Sequence, residues 1–170
     1  MASVRSGFPL IVDEITVRLV AAVVLVVGIA GLLTGAWWLY AALAADFTLR
    51  VWLGPAWSPI ARLVTGAIRP RLEVAPRPTP GAPKRFAASI GAVLAAGAAI
   101  TTGAAALGSA TGAAGFVLGS LLVVFPALEA AAGICVGCVL FGRLIRLGLV
   151  PDRICLECAD ITQRAATVRA

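Results

Sequence analysis

LVAAVVLVVGIAGLLTGAWWLYAALAA, residues 19–45, contains no charged side chain, and its division decides the fold. A helix that crosses a bilayer needs about 20 apolar residues, so the stretch is either one long helix or parts of two. Thr34-Gly35 divides it, because glycine readily takes the left-handed conformation that ends a helix. A second helix then runs from Trp37 to Leu53 with Asp46 and Arg50 inside it. Charge supports the division. The segment 54–85 carries Arg62, Arg69, Arg71, Arg77, Lys84 and Arg85, whereas 34–36 and 104–115 carry no basic residue. Four helices put every basic segment on one side and both bare turns on the other, as the positive-inside rule requires. Three would place the most basic loop opposite the Arg-flanked N-terminus.

Composition agrees with a membrane class. Hydrophobic residues are 61% of the 170 and charged residues 13%, against about 45–50% and about 25% in soluble domains. Mean hydropathy is +1.00. The net charge of +6 does not point to nucleic acid, because the basic residues flank apolar runs and interleave with no aromatic surface. Histidine is absent, which excludes His-based acid–base catalysis, His-ligated haem and mixed Cys/His zinc sites.

The expected fold is all-α: one polytopic domain over 1–170 with four transmembrane helices as two hairpins, at about 17–34, 37–53, 86–107 and 116–141. A polar-to-mixed lead covers 1–15. A cytoplasmic loop covers 54–85, with a short amphipathic helix at Ile60–Ile68 and a stretch at 69–85 too proline-dense for regular structure. The cytoplasmic tail, 142–170, holds a short helix starting at Pro151. A cleaved leader ending at Ala42-Leu43-Ala44 is the rival for the first 45 residues. Its apolar region would exceed the usual 7–15 or so residues, and Asp13 and Glu14 stand where positive charge belongs. A weak repeat relates VRLVAAVVLVVGIAGLLTG (17–35) to KRFAASIGAVLAAGAAITTG (84–103), with Asp46 and Glu129 each eight residues before a glycine.

The four cysteines form two matched pairs, CVGC at 135–138 and CLEC at 155–158. Their C-x2-C-x16-C-x2-C spacing suits a four-thiolate zinc or iron–sulfur centre, because two close pairs supply tetrahedral soft ligands. On the reducing cytoplasmic side a structural disulfide is disfavoured, leaving metal binding or a dithiol that cycles; buried packing thiols are the bland reading. Within a continuous helix Cys135 and Cys138 would share a face at about 5–6 Å between Cβ atoms. A relaxed disulfide wants about 3.5–4.5 Å, so a mid-helix pair is a better fork for metal. A straight helix to Leu149 strains the reach to the second pair.

Asp46 and Glu129 fall near mid-bilayer, where an unpaired carboxylate costs about 2.5 kcal/mol or more. Arg50, one turn from Asp46, provides an ion pair. Glu129 has no such neighbour and, on a straight helix, points about 120–180° away from Cys135 and Cys138. Pairing across helices is its structural reading; proton or ion handling is the functional one. Gly28, Gly31, Gly35, Gly133 and Gly137 offer small-residue faces for a tight bundle or a homodimer.

DFTLRVWLGPAWSP in the second span, KRFAASIG entering the third, ICVGC ending the fourth and LVPDRICLEC after it carry a resemblance. Over roughly residues 15–161 the chain resembles the bacterial integral membrane family catalogued as domain of unknown function 4395, with LGPAWSP and CVGC its most specific parts. The resemblance implies a four-helix membrane protein with a cysteine-bearing last span, in a context of thioredoxin-like or sulfur-transferring partners.

The reading is thus a multi-pass protein of the bacterial cytoplasmic membrane, both termini inside, that exchanges electrons or sulfur with a cytoplasmic partner through Cys135, Cys138, Cys155 and Cys158. Cys155 and Cys158, in the polar tail, are its accessible pair; Cys135 and Cys138 are the buried, resolving pair. Arg153 favours a thiolate at Cys155 and Glu157 opposes it. One rival is an accessory protein in which the four cysteines bind zinc or an iron–sulfur cluster; no cofactor is required otherwise. Another is a small transporter using Asp46, Arg50 and Glu129.

Overall fold

The structure, a computed structural model, describes residues 9–149. The expected tail helix and the Cys155–Cys158 pair lie outside the described residues. In chain order the elements are β1 (Ile11–Asp13), α1 (Glu14–Thr34), α2 (Trp37–Trp52), α3 (Pro59–Leu63), β2 (Pro78–Pro80), α4 (Gly81–Ala106), α5 (Gly112–Ala132) and α6 (Val136–Arg146). Short 3-10 turns and a π-helical turn at Val64–Ile68 fill the segment between α2 and β2. The architecture is all-α apart from one small ribbon.

Helix α1 ends where the sequence expects, with Gly35 in the left-handed region at φ 65°. Helices α1 and α2, and then α4 and α5, form two hairpins. Each hairpin's first helix packs chiefly against the other's second, α1 on α5 and α4 on α2. The core follows from side-chain size. Tyr40, Leu43 and Phe47 recur at helical spacing on α2 and meet the narrow face made by Ala88, Ala95 and Ala98 of α4. Val24 of α1 and Leu122 of α5 close the cluster. Pro126 removes the N–H that would bond the Leu122 carbonyl. Gly28 of α1 packs closely on that carbonyl: a Cβ would lie 3.1 Å from the oxygen, tight enough that its neighbour would have to give way by a few tenths of an ångström.

Large apolar side chains cover the outside as well. Val26, Val93, Ile100 and Phe116 are 66%, 73%, 70% and 63% exposed. Helices apolar on every face are those that a bilayer solvates. Three of them, α1, α4 and α5, are long and apolar enough to cross a membrane. Helix α2, with 16 residues, is about 24 Å long at 1.5 Å per residue.

Three boundaries differ from expectation. Helix α4 begins at Gly81 rather than Phe86. Pro83 is tolerated because first-turn N–H groups have no helical partner to lose, so Lys84 and Arg85 belong to the helix and not to the loop. The run 116–141 is not one helix; it breaks at 133–135 into α5 and α6. The lead and the proline-rich segment also hold regular structure, because β1 pairs antiparallel with β2, Ile11 opposite Pro80.

Asp13 ties this ribbon to α1. As the N-cap of α1 it accepts from the Ile15 and Thr16 N–H groups, each at 3.3 Å, and from Thr16 Oγ1 at 2.8 Å. Arg69 Nε donates to it at 2.8 Å and the Arg77 N–H at 2.9 Å. Burial acts to raise its pKa, but the donors from Arg77, Thr16, Arg69 and Ile15 together lower it from 3.8 to about 2. A depressed carboxylate stabilises the fold above its unfolded pKa, and that contribution disappears as pH falls through the folded value. Thermal melts in detergent are therefore expected to show stability falling from about pH 4 to about pH 2, with Asp13→Asn abolishing that part of the slope. An unchanged slope in the variant would remove Asp13 from this role.

Candidate functional site

The site begins with a turn. Gly133 takes φ 70°, and its N–H donates to the Glu129 carbonyl at 3.0 Å while Ile134 N–H reaches Leu128 at 3.2 Å. These bonds close the last turn of α5. Arg18 of α1 covers its remaining carbonyls, donating through Nη2 to Ala130 at 3.0 Å and Ala131 at 2.9 Å, so a cation sits at the negative end of the helix dipole. A residue with a side chain would be strained at Gly133.

The chain then restarts as α6 with Cys135 at its N-cap, in extended conformation, and Cys138 in its first turn. An N-cap side chain folds over that turn toward the residue three further on. Cys135 makes no capping hydrogen bond of standard geometry, yet the Cys138 thiol and N–H are near enough to act on its sulfur. The thiol of Cys138 is the main influence holding Cys135 below its ordinary pKa; burial and the Glu129 carboxylate oppose it, and the Lys84 ammonium assists. Cys138 is pushed well above its ordinary value, first by the neighbouring Cys135 thiol and then by burial.

Helix α6 is held tightly against α4. A Cβ at Gly137 would lie 2.5 Å from Ala87 Cβ, so only glycine permits the approach. The Phe86 and Phe141 rings meet beside it at a tilt of 48°, with centroids 5.5 Å apart.

Across from the cysteines, Lys84 Nζ of α4 bonds Glu129 Oε1 of α5 at 2.5 Å. Removing one partner of a fully buried pair costs about 3–5 kcal/mol; with side chains 11% and 16% exposed, this pair approaches that regime. Lys84 also lies close enough to both sulfurs for its charge to act on them. A cavity of about 610 Å³ opens between α1, α2, α4, α5 and α6. Val20, Leu94 and Phe125 are among its apolar walls, and Arg50, Lys84, Glu129 and Cys135 supply its chemistry.

The Asp46 cluster adjoins it. Asp46, 4% exposed, accepts from Arg50, from Ser58 Oγ at 2.7 Å and from the Ile60 N–H at 3.0 Å. Ser58 is the N-cap of α3 and Pro59 its first residue, a pairing favoured at helix starts. The motif LGPAWSP thus folds back to satisfy an aspartate that burial would otherwise penalise.

The family described as Domain of unknown function (DUF4395) matches residues 12–146. The chain belongs to that family. The matched region contains Asp46, Lys84, Glu129, Cys135 and Cys138 and stops short of Cys155 and Cys158. No curated protein and no solved structure matches the chain.

Within this family member, two expectations about geometry change. Cys135 and Cys138 are not a mid-helix pair, and Glu129 does not point away from them: the break at Gly133 brings Glu129 and Cys135 to one cavity. Among the described residues, no three or more Cys, Asp and Glu side chains gather to hold a metal. A four-thiolate centre would need Cys155 and Cys158, outside the described residues. The two carboxylates of the transport reading, Asp46 and Glu129, are both engaged by cations. Sequence reasoning missed Lys84, Ser58 and Arg18. Lys84 carried a usable signal, a lysine one turn inside a helix start. The partners of Ser58 and Arg18 are set by tertiary contact.

The ordering of influences on Cys135 gives a test. In alkylation-rate profiles against pH, Cys138→Ala is expected to move the Cys135 inflection upward and Glu129→Gln to move it downward. Shifts of the opposite signs would contradict the geometry.

Proposed function

We propose that this is a four-span protein of the bacterial cytoplasmic membrane, both termini inside, whose Cys135–Cys138 pair cycles between dithiol and disulfide. The observation that carries the redox reading is the placement of Cys135 at the N-cap and Cys138 in the first turn of α6. Orphan N–H groups and the positive end of the helix dipole favour a thiolate there.

Two observations support the topology. Every charged residue among those described lies at one pole: the start of α1, the last turns of α2, the segment to β2, the start of α4, the end of α5, and α6. The opposite turns are bare. Helix α2 is bracketed by Trp37 and Trp38 at one end and Trp52 and Trp57 at the other, all 48–75% exposed. Tryptophan concentrates at membrane interfaces, and Trp38 to Trp52 spans about 21 Å, enough for a fourth span in a locally thinned bilayer. Arg143 and Arg146 on α6, both exposed, suit a helix lying along the inner surface.

In the exchange, the Cys135 thiolate attacks a disulfide sulfur of the incoming species and a mixed disulfide forms as the leaving thiolate departs. Cys138 then attacks Cys135 Sγ, releasing a dithiol and leaving the Cys135–Cys138 bond. Two electrons and two protons pass from pair to acceptor; the reverse sequence reduces the pair. Cys155 and Cys158, in the tail, are the outer relay to a thioredoxin-like or sulfur-transferring partner.

Cys138→Ser tests this, since it removes the resolving thiol and arrests the mixed disulfide. Mass spectrometry of non-reduced membranes is expected to find Cys135 joined to a partner cysteine or to Cys155 or Cys158. A Cys135 that stays free under oxidising conditions, in this variant and in the parent, would end the redox reading.

A further inference from the structure

The cavity beside Cys135 is built for a ligand of definable character. Its volume of about 610 Å³ lies within the range of roughly 300–1,000 Å³ typical of small-molecule sites. Its walls are mostly aliphatic and aromatic, contributed by helices whose outer sides are also apolar. The charges lining it cancel locally: Lys84 is paired with Glu129, Arg50 with Asp46 and Asp13 with Arg69. An ionic ligand would enter such a site without a counter-charge and lose its hydration, so the fitting ligand is neutral and lipophilic.

One polar group is nevertheless unsatisfied. Arg50 lines the cavity, and its Nε–H, fully buried, is the one such side-chain atom among the described residues without a hydrogen-bond partner. Leaving a charged donor buried and unpaired costs more than the hydrogen bond it could make. It therefore calls for an acceptor oxygen from a ligand. Cys135 lines the same cavity, with Cys138 next to it. A neutral lipophilic molecule with carbonyl acceptors, placed beside a dithiol, is chemically a two-electron acceptor.

We infer that the cavity binds a lipophilic quinone, one carbonyl accepting from Arg50 Nε–H and the ring placed against Cys135, and that the quinone takes the electrons of the Cys135–Cys138 pair. The inference rests on the redox reading of that pair and names its membrane-side substrate. The Cys135 thiolate adds to the ring, forming a C–S bond. Cys138, giving up its proton, attacks Cys135 Sγ; the S–S bond forms as the C–S bond breaks, and that electron pair stays on the ring. The two thiol protons end on the two quinone oxygens. The products are one disulfide and one hydroquinone, balanced in atoms and electrons.

The test uses the full chain in lipid nanodiscs, reduced and freed of reductant, with a benzoquinone carrying a decyl chain as probe. Saturable loss of quinone absorbance is expected, one hydroquinone per disulfide formed. Arg50→Lys keeps a cation for Asp46 but removes the Nε–H. It is expected to raise the half-saturating quinone concentration about tenfold. A pair that cycles with glutathione but reduces the probe without saturation, or equally well in Arg50→Lys, overturns the quinone site and leaves the redox reading standing. A pair that cycles with neither overturns both.

Discussion

At Gly133 the chain turns in a conformation that residues with side chains rarely adopt, and the rest of the candidate site follows from that turn. A continuous helix from Phe116 to Phe141 would set Cys135 and Cys138 along one face, too far apart for an easy disulfide, with Glu129 on another side. The turn instead ends α5, hands its last carbonyls to Arg18 and starts α6 with a cysteine as its cap. The close seat of Gly137 on Ala87 then keeps α6 against α4, where Lys84 stands. Local backbone geometry thus sets where the two thiols lie.

Electrostatics imposes the second condition. The charged residues within the bundle gather at one pole, and Arg18, Asp46, Arg50, Lys84 and Glu129 are matched there by salt bridges or backbone carbonyls, because a low-dielectric setting makes a lone charge expensive. Lys84 is the most versatile of them. It neutralises Glu129 and also lies within reach of both sulfurs, so one ammonium serves the fold and acts on both thiols. Asp46 has a different task. Its donors from Arg50, Ser58 and Ile60 fasten the segment after α2 beneath the bundle.

Much of the frame was legible in the sequence. Thr34-Gly35 marked the first hairpin turn, the apolar runs marked the long helices, and Arg50 one turn after Asp46 marked an ion pair. What escaped depended on distant partners or on local signals with two meanings. Gly133 sits in an Ala-rich apolar run and reads as a packing glycine; the same residue is a helix stop when Arg18 and α4 supply partners for the ends it creates. Pro80 and Pro83 read as loop. They are instead a strand end and a first-turn proline, because β1, some 70 residues earlier, pairs with the segment. Glu129 had a partner 45 residues away in Lys84, beyond any neighbour rule. The outer relay proposed at Cys155 and Cys158 lies outside the described residues.

Equilibrium redox titration of the full chain in nanodiscs, read by differential alkylation of Cys135 and Cys138, tests the central claim most directly. The geometry predicts one two-electron transition in which both thiols disappear together into an intramolecular bond, with Gly133→Ala weakening that bond. Two thiols that remain independently alkylated at the most oxidising poise, or that oxidise in separate steps, would contradict it.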